Sequence, residues 1–298
     1  MKPLITIRHI AFLAAFGATA IYGINHSVAK GVMPEYTGAF GFIFLRTGGA
    51  ALLFWISSLF IKSEKIERKD WKTLLLAAVL GAVINMLSFF KGLELSTPIN
   101  SSILVTITPI IVVIFSALLL KERIHFVKIA GIAMGLVGAI GLVIYGNEIR
   151  TDAPNIPLGN GLFIINATAY GLYLIVIKKM MDTYQPITVL KWVFTIAFLI
   201  NIPITYSDFS QINWDMPGSI VASIVFVILG TTYMTYLFNG FALTKLKASS
   251  VSAFVYVQPL IGIFVAIISG QDHLSLTKAA AATLVLLGVY FATKKQTD

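Results

Sequence analysis

The sequence contains no cysteine. That removes disulfides, thiolate metal sites and thiol nucleophiles together. Charge is scarce as well: Asp, Glu, Lys and Arg make up 12% of the 298 residues. No carboxylate falls near the middle of a long apolar stretch, so no obvious proton carrier stands at membrane depth. The sequence has neither a His-Glu-x-x-His pair nor a Gly-x-Ser-x-Gly elbow, the signatures of zinc and serine hydrolases. Its four histidines cannot cluster, because His9 and His125 fall toward one membrane surface and His26 and His273 toward the other. An intramembrane enzyme is therefore disfavoured, and neither a catalytic residue, a metal nor a cofactor is expected. A channel is disfavoured too, since nothing resembles a carbonyl filter or a ring of charge.

What the chain has is apolar length. Hydrophobic residues make up 57% of it and the mean hydropathy is +0.88. Ten stretches approach the roughly 20 residues that cross a hydrocarbon core of about 30 Å. They are Ile10–Ala29, Gly38–Ile61, Thr73–Gly92, Pro98–Leu120, Val127–Tyr145, Leu158–Ile177, Pro186–Tyr206, Gly218–Phe241, Ser249–Gly270 and Thr277–Thr293. The predicted class is an all-α integral membrane protein. A net charge of +9 then reflects basic cytoplasmic loops rather than nucleic-acid binding.

The second half echoes the first. At a shift of 150, Ser102, Val105, Thr106 and Pro109 meet Ser252, Val255, Tyr256 and Pro259; Lys128 meets Lys278 and Gly138 meets Gly288. At a shift of 149, Ala18-Thr19-Ala20 meets Ala167-Thr168-Ala169, and Lys30 meets Lys179. Two repeats of five helices, residues 1–147 and 148–298, are expected. Five is odd, so the second repeat enters the membrane inverted, the plan of a secondary transporter.

With the N-terminus cytoplasmic, the inside carries Lys2, Arg8, Lys62, Lys65, Arg68, Lys69, Lys72, Lys121, Arg123, Lys128, Lys178, Lys179, Lys191, Lys245, Lys247, Lys294 and Lys295. The outside carries Lys30, Lys91, Arg150 and Lys278, and Arg46 lies within a helix. That bias predicts a multi-pass protein of the cytoplasmic (inner) membrane with both termini on the cytoplasmic side. The start of the chain also has the cast of a signal peptide, with Lys2 and Arg8 before an apolar run and Ala18-Thr19-Ala20. Cleavage there would remove the helix that pairs with the sixth, so an uncleaved first helix is expected.

Tyr22-Gly23-Ile24-Asn25, followed by Lys30, Pro34 and Arg46, resembles the opening of the drug/metabolite transporter superfamily, and within it the ten-helix EamA-like family. Ser101, Ser102, Pro109, Leu118-Leu119-Leu120 and Glu122 match the family's fourth-helix signature. Ser250, Ser252, Pro259 and Asp272 repeat it. Departures are Tyr22 where the family often has Trp, Lys91 where a small neutral residue is common, and Gln271-Asp272-His273 where a Gly-Glu-Arg type is usual. The resemblance implies export or exchange of a small metabolite, often an amino acid, with the bilayer as the other partner. It also implies a cavity lined by helices one, three, four, six, eight and nine. Efflux of drugs or other metabolites by proton antiport is the alternative.

Polar residues within spans are costly and face a bundle interior or a wet cavity. They recur at helical spacing here: Tyr22, Asn25 and His26; Asn85 and Ser88; Ser102 and Thr106; Asn166, Tyr170 and Tyr173; Thr232, Tyr236 and Asn239; Ser252 and Tyr256. These form the expected substrate-binding set, with interhelical hydrogen bonding as the plainer role for any single Ser or Thr. Pro109 and Pro259 are expected to kink their helices. His26, Lys30, Arg46 and Lys91 are placed to draw a carboxylate, while Lys91 and Glu94 are spaced to pair. Gly131, Gly135, Gly138 and Gly141 form a small-residue face, suited to close packing within a monomer or to a homodimer contact.

Overall fold

The computed structural model describes residues 6–61, 64–146, 153–268 and 275–294, and every regular element among them is helical. The burial pattern is that of a protein dissolved in lipid. Large apolar side chains such as Leu13, Leu52, Leu118 and Leu199 point outward, whereas Thr47, Asn201, Thr205, Thr231 and Ser252 are wholly buried. In water this exchange would be unfavourable. In hydrocarbon the polar groups must find partners inside the bundle, and helices satisfy the backbone within each segment.

The helices are α1 (Ile7–Val32), α2 (Ala39–Ser58), α3 (Trp71–Ala78), α4 (Asn85–Leu95), α5 (Pro98–Val105), α6 (Thr108–Leu119) and α7 (Phe126–Gly146). They continue as α8 (Ile156–Met181), α9 (Pro186–Ser210), α10 (Gly218–Ile228), α11 (Thr235–Leu243), α12 (Ala248–Ala253), α13 (Gln258–Ile268) and α14 (Leu276–Thr293). Helix starts follow ordinary capping chemistry. Thr97 accepts the Asn100 N–H at 3.2 Å ahead of Pro98, and Asn155 accepts the Leu158 N–H at 3.2 Å ahead of Pro157. The His9 ring accepts the Thr6 N–H at 3.1 Å, which accounts for that histidine.

Each stretch read from the sequence falls mainly on helical backbone as far as the described residues reach, with a break at Thr106 and Ile107. Seven helical stretches are long and apolar enough to cross a membrane: Ile7–Asn25, Ala39–Ser58, Arg68–Leu95, Asn100–Leu119, Ile156–Met181, Pro186–Ser210 and Gly218–Leu243. Three more apolar stretches are shorter, Phe126–Gly141, Ala248–Ile261 and Ala279–Thr293.

The most extensive helix contacts are α2 with α9, α7 with α14, α4 with α8, and α1 with α11. Each pair joins a helix from the first half of the chain to one from the second, so the halves interleave. The loops gather at two ends. At one, Arg8, Lys121, Lys178, Lys179, Lys245, Lys247 and Lys294 surround a basin of about 670 Å³. At the same end the Tyr184 hydroxyl donates to Asp70 at 2.7 Å and the Gln185 N–H to Glu64 at 2.7 Å, joining two loops. At the other end the Asn213 N–H donates to the Tyr36 carbonyl at 3.0 Å and the Asn155 N–H to the Leu95 carbonyl at 2.9 Å. Lys91 pairs with Glu94 at 2.7 Å, as their spacing predicts, and Glu94 also accepts the Ala39 N–H at 3.3 Å.

Candidate functional site

Four interruptions of regular helix surround the middle of the bundle. A π-helical turn, Val79–Ile84, joins α3 to α4, and another, Leu229–Met234, joins α10 to α11. Residue for residue they lie 150 positions apart, the spacing of the sequence echo. The remaining two are breaks. α5 ends at Val105 and α6 restarts at Thr108; α12 ends at Ala253 and α13 restarts at Gln258 after a 3₁₀ turn, Phe254–Val257. Pro109 and Pro259 therefore sit in the first turn of a restarted helix, rather than at a kink within a continuous one. Proline is tolerated there because its missing N–H has no helical partner to lose.

A widened π turn leaves carbonyls short of their regular donors. Side chains from the opposite half supply them. The Tyr236 hydroxyl donates to the Gly81 carbonyl at 2.5 Å, and Asn201 Nδ2 to the Ala82 carbonyl at 3.3 Å. In the second π turn, Arg46 Nη2 donates to the Thr231 carbonyl at 3.4 Å and Arg46 Nε to Thr232 Oγ1 at 2.8 Å. Between α4 and α8, Asn166 Nδ2 donates to the Asn85 carbonyl at 2.9 Å, and Asn85 Nδ2 returns toward the Asn166 carbonyl at 3.5 Å. Gly81 is required at its position: a Cβ there would lie 2.3 Å from the Tyr173 ring.

Of these side chains, Arg46, Asn85, Asn166 and Tyr236 help to wall a cavity of about 60 Å³. A water needs roughly 10–15 Å³ on this measure, so the cavity has room for a few waters. Of the expected set, Tyr22, Asn25, Asn85, Asn166, Tyr170 and Tyr236 line it. Their rings form one cluster: Tyr22 meets Tyr170 edge-on at 6.5 Å, and Tyr170 stacks on Tyr173 at 5.9 Å.

The other expected residues lie outside that lining. Tyr173 covers Gly81, and Asn239 donates to the Tyr170 hydroxyl at 3.0 Å, one shell behind the cavity. The hydroxyls of Thr106, Thr232 and Ser252 donate to the carbonyls of Ile103, Val227 and Ser249. Ser88 is buried and Ser102 half-buried, and neither lines the cavity. Tyr256 is fully buried with its ring against Gly135. The side chains of His26, Lys30 and Lys278 lie outside the described residues, as do Arg150, Asp272 and His273.

Arg46, Gln258, Thr108, Val105, Met86, Phe89 and Phe90 complete the wall. Arg46 brings α2 into a site expected from six other helices. Two signals for the rest were present in the repeat. Thr108 and Gln258 each precede a repeat proline, and Met86 and Tyr236 each follow a π turn by the same interval.

At the basic end, Lys128 Nζ lies 2.7 Å from Glu122 and 2.7 Å from Ser249 Oγ, and the Ser249 hydroxyl donates to Glu122. The Lys128 and Glu122 side chains are 8% and 5% exposed. This triad ties the α6–α7 segment to the start of α12.

Comparison with known proteins bears on both halves. The model of a family described as EamA-like transporters matches residues 9–144 and again 157–294. An uncharacterised transporter of Archaeoglobus fulgidus is 25% identical over 96% of this chain and 98% of its own length. A probable terminal-alkyne amino-acid exporter of Streptantibioticus cattleyicolor is 25% identical over 57% of this chain and 55% of its own length. A solved crystal structure superposes with a TM-score of 0.76 at 18% identity, covering 96% of this chain and 98% of that one.

Proposed function

The chain belongs to the EamA-like transporter family, and from that premise we propose that it is a secondary transporter exporting an amino acid or similar zwitterion across the cytoplasmic membrane. The observation that carries this reading is the central cavity, walled by side chains from both halves where each half breaks its own helices. Broken helices around a shared midpoint suit a solute site, because free backbone groups are tolerated at membrane depth only against protein or water. The amino-acid exporter among the relatives supports the substrate class and the direction.

The accompanying architecture is ten crossings in two inverted five-helix repeats, residues 1–147 and 148–298. Three observations support it: the family model matches twice, the π turns recur 150 residues apart, and Arg8 and Lys294 face one basin. Termini on the same side require an even number of crossings. The three shorter apolar stretches supply the crossings beyond seven. Tyr22, Asn25, Asn85, Asn166, Tyr170 and Tyr236 are the substrate-facing residues of this proposal. Transport proceeds by rocking of the two halves about them, as exchange or facilitated diffusion, since none of the residues lining the cavity is acidic.

Proteoliposomes loaded with unlabelled α-amino acids test the reading. Saturable uptake of the labelled amino acid, accelerated by the same solute on the trans side, is the expected result. Non-saturating flux would mean a channel, and a chemically altered solute would mean an enzyme. Accumulation that requires an imposed pH gradient would replace exchange with proton antiport. Orientation is checked separately by reporter fusions, with an outside signal expected at Asn213 and an inside signal at Glu67. The reverse pattern overturns the orientation.

A further inference from the structure

Arg46 is 4% exposed and lines the central cavity. Of its five N–H donors, one on Nε meets the Thr232 hydroxyl and one on Nη2 the Thr231 carbonyl, and its Cζ lies 4.6 Å from the centre of the Phe90 ring. All of these partners are neutral, and no carboxylate pairs with Arg46 among the described residues. A buried guanidinium without a counter-ion is unfavourable, and a carbonyl and an aromatic face offset only part of the cost. The rest of the wall offers amides, phenols and apolar groups, with no acid. Asn25, 3% exposed, lines the same cavity, and its Oδ1 accepts no hydrogen bond among the described residues. The cavity thus holds an unneutralised cation and an unused acceptor.

We infer that Arg46 is the anion-recognising residue of the substrate site, pairing with the carboxylate of an amino-acid-like solute whose ammonium group turns to the Asn25 carbonyl oxygen. The inference rests on the transporter reading above and narrows it to solutes that carry an acidic group. The planar fork suits a carboxylate because two parallel N–H groups can meet two oxygens, which an ammonium cannot reproduce. Arg46 also braces the second π turn through Thr231, so a purely structural role is the competing explanation. The two differ in what the solute must carry.

The test begins with the unaltered protein. Binding is measured by thermal shift, and uptake in proteoliposomes, for a panel of α-amino acids. For each one bound, its amide and its decarboxylated amine follow. Loss of the carboxylate is expected to weaken binding on the order of 10- to 100-fold, the worth of a charge-assisted hydrogen bond. Arg46→Gln should bind acid and amide alike. Arg46→Lys, which keeps the charge and loses the fork, should weaken the acid while leaving the amide unchanged; it serves where Arg46→Gln does not fold. Amides or amines bound as tightly as the acids overturn the inference, and so does an acid preference that survives in both variants. If no α-amino acid binds or crosses, the substrate class of the transporter reading falls, and this inference with it. That outcome is distinct from binding that ignores the carboxylate.

Discussion

Lys128→Met is expected to destabilise the protein by about 3–5 kcal/mol, the usual consequence of removing one partner of a buried ion pair. Lys128 and Glu122 are 2.7 Å apart with almost no surface exposed, and Ser249 bonds to both. With the ammonium gone, Glu122 keeps one hydroxyl donor in this triad and must either carry an uncompensated charge or take up a proton. The double variant Glu122→Gln, Lys128→Met removes both charges together. It should recover most of the loss, because neutral replacement of a whole buried pair is often close to neutral. Thermal melting in detergent reads the cycle. If the single variant melts with the parent protein, the pair is not sheltered as described. The triad also joins the two halves at the basic end, so a rocking motion that opens this end must separate Ser249 from the other two.

The second large effect is expected at Gly288, where α14 meets α7. A Cβ there would stand 2.4 Å from the Gly135 nitrogen, 2.6 Å from its Cα and 2.7 Å from the Gly131 carbonyl. Gly131 is similarly constrained: a Cβ there would lie 2.6 Å from the Ala292 nitrogen. These neighbours are backbone and cannot rotate aside. Gly288→Ala should therefore cost at least the upper end of the roughly 1–3 kcal/mol typical of overpacking. Gly141→Ala is the control on the same helix face, because its added carbon would meet only the Ala281 Cβ at 3.5 Å. It should leave stability unchanged or raise it by up to about 1 kcal/mol, since Ala favours a helix interior over Gly. Comparable melting of the two variants would contradict the close approach. Of the two roles open to the glycine face, packing within the chain is the one Gly131, Gly135 and Gly138 perform here.

Helix positions were legible because apolar length and charge-free runs report them directly. The π turns were not. A turn closed at five residues instead of four shifts the side-chain pattern by one position, which scattered polar residues do not register. Nor does a single helix reveal which neighbour each face meets. Tyr256 reads as a polar residue on a cavity face, yet its ring falls on Gly135. The sequence places Arg46 within a helix, but position along a helix says nothing of the direction a side chain takes around it. That direction is set by the Phe90 ring of α4 and by the second π turn, the latter more than 180 residues further along. Gln258 carries no signal of its own beside Pro259, although the repeat pairs it with Thr108.

The interleaving of the halves has a consequence for how the molecule is made. α2 finds its main partner in α9, α4 in α8, and α7 in α14. During synthesis the early helices enter the bilayer long before those partners exist. Each can hold its own backbone bonds in lipid, but Arg46 and the Gly81 carbonyl must wait for residues 231–236. Assembly is consequently dominated by contacts distant in sequence, which close slowly. The nascent first half is the species most in need of protection, and a chain truncated near its midpoint should be degraded rather than persist as a folded fragment.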